Sequence, residues 1–141
     1  MERNHGAVHG RVRTDRFGPL RLLVTGSRSW TDVDLLEGVI GEVLWLGRYR
    51  PRDVILIHGA CPRGADAMAD RFAREIGMSI CRHPADWDAH KKRAGFIRNS
   101  EMVRAGADLC FAFIKGGSPG ASMTANLAKK AGIPTEIFED A

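Results

Sequence analysis

The sequence is short of several things at once. Nowhere in its 141 residues is there a run approaching the roughly eighteen apolar residues that a membrane-spanning helix needs. The opening segment, Met1 to Arg13, lacks the apolar core of a secretory signal. Cysteine is scarce: Cys61, Cys81 and Cys110 are odd in number and widely spaced, so they form no disulfide framework and point to a reducing compartment. These absences predict a soluble cytoplasmic protein with no membrane partner. The GxGxxG and Walker patterns are missing as well, which argues against ATP hydrolysis on a P-loop.

What is present suffices for one domain, since 44% of the residues are hydrophobic and a chain of this length can bury a core. The formal net charge is +4, and it is unevenly placed. Arg3, Arg11, Arg13 and Arg16 outnumber Glu2 and Asp15 in residues 1–18, which show almost no apolar periodicity and read as a flexible basic tail. Residues 19–141 are nearly charge-balanced and read as the folded domain. That balance makes nucleic acid an unfavoured partner.

From Leu20 onward, short apolar runs alternate with segments of helical period. Leu20–Val24, Val54–Ile57, Met78–Arg82, Leu109–Ile114 and Thr135–Phe138 predict five strands, the last an edge strand. Val33, Leu36, Ile40, Val43 and Leu44 recur at helical spacing, with Thr31 and Asp32 as candidate caps and Gly47 as the stop. Ala65, Met68, Ala69, Phe72 and Ile76 predict a second helix closed by Gly77. A third is expected from about Lys92 to Ala105, and a fourth along Met123, Leu127, Ala128 and Ala131. Strands alternating with helices, and strand runs without polar alternation, predict an α/β fold. The expected form is a three-layer Rossmann-like fold, a parallel five-stranded sheet with helices on both faces.

In such sheets ligands bind beyond the carboxyl ends of the strands, where the winding reverses. The unusual residues fall in those loops. After the first strand, Gly26 allows a tight turn, Ser27 and Ser29 offer hydroxyls, and Arg28 offers a forked cation suited to phosphate. After the second, Gly59, Arg63 and Gly64 precede a helix whose first N–H groups can face an anion. Asp66, near that helix start, reads as a cap or as a ribose acceptor or general base. His58 reads as a loop anchor. With Cys61 it resembles half a zinc site without the other half, so no metal is expected.

After the third strand come Asp86, Trp87, Arg98 and Asn99. Arg98 is a candidate phosphate clamp, and Trp30 and Trp87 are candidates for stacking on a base. After the fourth strand, Gly116, Gly117, Ser118, Gly120 and Ser122 form a candidate anion nest before a helix.

The segments VTGSRSW (Val24–Trp30), HGACPRGAD (His58–Asp66), PADW (Pro84–Trp87), AGFIRNSEMV (Ala94–Val103) and GADLCFAF (Gly106–Phe113) resemble, in order and spacing, the YspA-like family of the SLOG superfamily. Its relatives are the Lonely Guy cytokinin-activating enzymes and the DprA DNA-processing proteins. The resemblance covers about Leu20 to Phe138. It implies a Rossmann-like fold with a pocket for a nucleotide or nucleotide derivative, no resident cofactor, and a homo-oligomer (dimer or higher) for which the helix Val33–Leu46 is a candidate interface.

Carried over position by position, Gly26, Ser27 and Arg28 match the first ligand loop, and Gly59, Arg63, Gly64 and Asp66 the second. Arg98 and Asn99 match the Arg-Asn motif, and Gly116, Gly117 and Gly120 the phosphate-binding glycines. The sequence departs from the Lonely Guy pattern PGGxGTxxE, because Ala121 and Thr124 stand where that pattern has Thr and Glu. Acid–base work would then fall on Asp66 or Asp86.

The leading expectation is therefore a sensor or capture module for a nucleotide-derived metabolite, such as a nucleoside phosphate or an NAD- or ADP-ribose-like molecule. An N-glycosidic hydrolase acting on nucleoside monophosphates or NAD-like nucleotides comes second. Single-strand DNA binding in the manner of DprA comes third, because few aromatics are available for stacking.

Overall fold

The computed structural model describes residues 18–140; the expected tail thus lies outside the described residues, apart from Gly18. The chain runs β1 (Leu20–Gly26), α1 (Val33–Gly47), β2 (Val54–His58), α2 (Ala65–Ile76), β3 (Ser79–Arg82), α3 (Trp87–His90), α4 (Ala94–Ala105), β4 (Leu109–Lys115), α5 (Pro119–Lys130) and β5 (Thr135–Asp140). All five strands pair in parallel, in the order β3-β2-β1-β4-β5. The expected three-layer α/β architecture is the one observed.

The alternation along β1 explains the layers. Leu20, Leu22 and Val24 pack with Leu36, Ile40 and Leu44 of α1 and with Ala65, Ala69 and Ala73 of α2. Leu23, from the opposite side of the same strand, packs with Met102 and Val103 of α4 and Ala128 of α5. β4 is buried on both faces over Leu109–Ile114, so it reads as a continuous apolar run, as a strand covered on two sides must. The chain winds outward through β2 and β3, then returns to β4 on the far side of β1. The winding therefore reverses between β1 and β4.

The helices begin and end where local chemistry directs. Asp32, the N-cap of α1, accepts from the Leu35 N–H at 3.0 Å. Gly47 is inside α1, and Arg48 takes the left-handed terminal position (φ 59°). The segment after β3 departs from expectation. The helix expected from about Lys92 to Ala105 is α4, which begins at Ala94, but an unexpected α3 from Trp87 and a 3₁₀ turn over Lys91–Arg93 precede it. The Asp86 carboxylate caps α3 by accepting from the Ala89 N–H at 3.0 Å. Lys91 at φ 54° then breaks the helical path.

Trp30 corrects a second expectation. It is only 2% exposed, its indole N–H donates to the Asp32 carbonyl at 2.9 Å, and its ring lies 5.4 Å from that of Phe113. Phe113 in turn stacks on Phe138 at 5.2 Å. Trp30 belongs to this aromatic core and cannot serve as a platform for a base. Truncation would leave a large cavity among rings that cannot close it, so Trp30→Ala is expected to lower unfolding stability by about 3–5 kcal/mol, measured by chemical denaturation.

Candidate functional site

Four loops meet at the carboxyl edge of the sheet around an open cavity of about 680 Å³. Ser27 is the junction of three of them. Its N–H donates to the Phe113 carbonyl at 2.9 Å, and its carbonyl accepts from Ala65 N–H at 3.2 Å and Trp30 N–H at 3.1 Å. Its hydroxyl accepts from the Lys115 N–H at 2.8 Å and donates to the Lys115 carbonyl at 3.3 Å. Ser27 lines the cavity, but its hydroxyl is committed to the scaffold and is not an available donor to a ligand.

Two glycines let the loops come this close. A Cβ on Gly26 would stand 2.3 Å from that of Ala65. Gly64, at φ 78°, passes so near the Ser27–Arg28 backbone that a Cβ there would stand 2.3 Å from the Ser27 carbonyl oxygen. Gly64 thus shapes the junction without lining the cavity.

The loop after β2 is held by two side chains. The His58 Nδ1 accepts from the Ala60 N–H at 2.9 Å, and its Nε2 lies 2.7 Å from Asp70 Oδ2. An imidazole that accepts at Nδ1 carries its proton at Nε2 and donates it to Asp70. Both ring nitrogens are thereby used, so His58 is the loop anchor and has no lone pair left for a metal. Asp66 Oδ2 accepts from Gly59 N–H at 3.1 Å and Cys61 N–H at 3.3 Å. Together the two side chains hold Ala60 at φ 60°, a backbone conformation uncommon for a residue with a Cβ.

Burial dominates the electrostatics of this loop. Asp66 is 4% exposed, and desolvation raises its carboxyl above the ordinary value despite the opposing influence of His58, the Cys61 N–H and Arg98. Burial, with Asp66 adding to it, also raises the Cys61 thiol, which keeps it protonated and a poor nucleophile at neutral pH. Asp70 goes the other way. Hydrogen bonds from Arg82, then from Arg74 and His58, hold its carboxyl far below the usual range against the effect of burial.

Arg98 and Asn99 brace the loops to one another. Arg98 Nη1 donates to the Gly59 carbonyl and, at 3.3 Å, to the His83 carbonyl; its Nε donates to Asn99 Oδ1 at 2.8 Å. Asn99 Nδ2 reaches the Gly120 carbonyl at 3.4 Å. Both residues line the cavity, with part of the Arg98 fork used in this bracing.

Arg28, Gly59, Arg63, Asp66, Ser118 and Gly120 also line it, as does Trp87. Gly116, Gly117 and Ser122 do not. The Gly116 N–H donates to the Asp140 carbonyl at 3.1 Å and the Ser122 N–H to that of Ser118, so this part of the loop is spent on the turn into α5. Asp86, occupied as a helix cap and exposed, is likewise outside the cavity and loses its place as an acid–base candidate.

Sequence reasoning missed Lys92 and Phe96, which also line the cavity. Phe96 is half exposed, like Trp87. The buried residues of α4 include Ala94, Met102 and Val103, and residue order did not set Phe96 apart, since it stands two turns before Val103 on one helical face. At the opposite rim, α5 starts with Ser118 as N-cap and Pro119 next, and Ser118 makes no side-chain cap bond.

The profile of the family described as YspA, cpYpsA-related SLOG family, abbreviated YAcAr, matches residues 20–90. The Gene 61 protein of Mycobacterium phage D29 is 43% identical over 125 residues, spanning 85% of this chain and 97% of that protein. The chain belongs to the YspA, cpYpsA-related SLOG family. No solved structure matches it. The YAcAr match takes in the loops after β1 and β2 and ends at His90, so Phe96, Arg98 and the α5 start come from beyond the matched segment. No helix among the described residues is long and apolar enough to cross a membrane.

The two aspartates of α2 carry opposite pH signatures. Because the folded pKa of Asp70 is depressed, its contribution is present above the unfolded value near ~3.9 and is lost as pH falls toward the folded value. Asp70→Asn is expected to cost about 1–3 kcal/mol at neutral pH, with the gap to the parent closing below about pH 4 in denaturation curves. The folded pKa of Asp66 is raised, so its charge opposes folding once pH exceeds the unfolded value. Asp66→Asn keeps an acceptor for the two N–H groups and removes the buried charge. Its melting temperature at pH 7 is expected to equal or exceed that of the parent, whereas Asp66→Ala is expected to lower it.

Proposed function

We propose that this cavity binds a nucleotide or nucleotide-derived metabolite, with phosphate towards the β1 and α5 loops and an aromatic base towards α3–α4. The observation that carries the reading is the makeup of the wall. Arg28, Arg63, Lys92 and Arg98 face a single carboxylate, Asp66, while Trp87 and Phe96 stand half exposed at one side. Such a charge balance favours a phosphate-bearing ligand, and Arg28 supplies the planar fork that phosphate recognition uses. The uncapped start of α5 adds partial positive charge from its free backbone N–H groups. Half-exposed rings leave a face for stacking. SLOG membership is consistent with nucleotide-related binding.

Capture without chemistry is the leading reading, because the Cys61 thiol is held protonated and no second acid or base accompanies Asp66 among the cavity-lining carboxylates. Hydrolysis of an N-glycosidic bond is the second reading. A buried carboxyl of raised pKa in a cavity is what an acid–base role requires, and Asp66 has that property.

Titration calorimetry against AMP, ADP-ribose, NAD and inorganic phosphate tests both readings. Binding of at least one nucleotide more tightly than phosphate is expected. Arg28→Ala should weaken it by at least about tenfold, and Trp87→Ala should narrow the margin over phosphate. No heat with any of the four, or an Arg28→Ala protein that binds as the parent does, overturns the proposal. Free base released on prolonged incubation, and abolished by Asp66→Asn, would replace capture with hydrolysis.

A further inference from the structure

The segment between β3 and α4 is held unlike the rest of the chain. Residues 86–93 are eight consecutive exposed positions, and no other exposed run among the described residues exceeds four. Neither α3 nor the 3₁₀ turn after it buries a residue. Among the described residues, no side chain in 87–93 makes a hydrogen bond or an ion pair. The helix is closed on itself. The Asp86 carboxylate accepts from the Ala89 N–H and the Asp86 carbonyl from the His90 N–H, both at 3.0 Å, and the Lys91 N–H donates to the Trp87 carbonyl. A piece kept in shape by its own bonds, without a core beneath it, belongs to the least stable end of a fold.

Both ends of the piece are anchored. Before it, the His83 N–H donates to the His58 carbonyl at 2.8 Å, and the His83 carbonyl accepts from Arg98 at 3.3 Å. After it, Ala94 is buried at the start of α4. Between the anchors, Lys91 at φ 54° holds a backbone conformation uncommon for a residue with a Cβ, and such outliers gather at ligand clamps and switch regions. This loosely held piece nonetheless supplies Trp87 and Lys92 to the cavity wall. The tip of the indole comes close to Gly95, where a Cβ would stand 3.8 Å from Trp87 Cη2 and 3.9 Å from Arg98 Nη2. Trp87 thus reaches the start of α4 beside Arg98 while half of it stays exposed.

We propose that residues 86–93 are a lid over the cavity, hinged at His83 and Ala94, which opens to admit the ligand and closes with Trp87 across its base. The lid rests on the nucleotide reading of the cavity and adds to it a step that controls entry and release. A ligand shifts a conformational equilibrium only through contacts that differ between the two states. Trp87 and Lys92 supply contacts of that kind. A nucleotide gives the indole a base to cover, and the ammonium a counter-charge, only while the segment lies over it. The walls opposite are braced by Ser27 and by the Arg98–Asn99 bonds, so the movement falls to the segment that lacks such ties.

Lys91, Lys92 and Arg93 place three consecutive trypsin sites in the lid itself. Limited trypsin digestion of the full chain, with the cuts located by mass spectrometry, is run beside calorimetry with AMP, ADP-ribose, NAD and inorganic phosphate. In the free protein these sites should be cut well before Arg71 and Arg74 within α2. Saturation with a nucleotide that binds should slow cleavage there by at least about tenfold, because the protease takes only the open form. Inorganic phosphate, which offers no base, should slow it by less than about twofold. Trp87→Ala separates closure from shielding: saturated with the same nucleotide, it should be cut at close to the free rate. A nucleotide that binds without slowing cleavage overturns the lid and leaves the binding reading standing. Full protection of saturated Trp87→Ala overturns it too, since the ligand would then shield the sites unaided, as does a free protein that resists cleavage at the lid as firmly as within α2. No heat with any of the four probes overturns the binding reading and the lid with it.

Discussion

The site depends on one residue making bonds to three loops. Ser27 joins the end of β1 to the end of β4 through Phe113 and Lys115, and to the start of α2 through Ala65. Parallel strands do not by themselves fix the loops that leave them, because the connections run through helices on opposite faces. A small hydroxyl residue at the switch point satisfies buried backbone groups from β4 and sets the spacing across which any ligand must reach. Gly26 and Gly64 are glycine for the same reason, since a Cβ at either would push the junction apart.

A second brace crosses from the β2 loop to α5 through Arg98 and Asn99. It alters what the cavity's positive charge can do. Part of the Arg98 guanidinium is committed to backbone carbonyls, so Arg98 contributes field and position more than a free fork. Arg28, Arg63 and Lys92 remain at the wall with exposed side chains. The cavity wall therefore combines one braced, half-buried cation with three exposed ones.

The strand runs and glycine-punctuated loops made the sheet and the edge that carries the cavity legible from residue order, because both are set by period and by local backbone freedom. Three of the failures share a cause in partners distant along the chain. Ser27 reads as a phosphate donor until Lys115, 88 positions away, takes its hydroxyl. Trp30 reads as a platform until Phe113 covers it. Gly116 reads as part of an anion nest until its N–H is found on Asp140. The separate α3 was hidden for a local reason: nothing in a Lys-Lys-Arg run announces that its first residue adopts a positive φ. Asp86 was visible as a carboxylate, but its use as a cap depended on recognising that helix start.

The departure at Thr124 has a physical consequence. Thr124 is fully buried, and its hydroxyl donates to the Gly120 carbonyl at 3.2 Å, the same oxygen that Asn99 approaches from α4. Two side chains thus converge on the first turn of α5 from inside the fold. A glutamate at this position would have to bury a charge or shift its pKa to stay neutral, and its added length would press on the Asn99 brace. The chain therefore forgoes a carboxylate on α5 in exchange for a tied helix start. Among the cavity-lining residues the only carboxylate is Asp66, which already accepts two backbone N–H groups. Any proton transfer in this cavity would have to be taken from a group that is also holding the β2 loop in place, and the proposal of capture over turnover rests on that constraint.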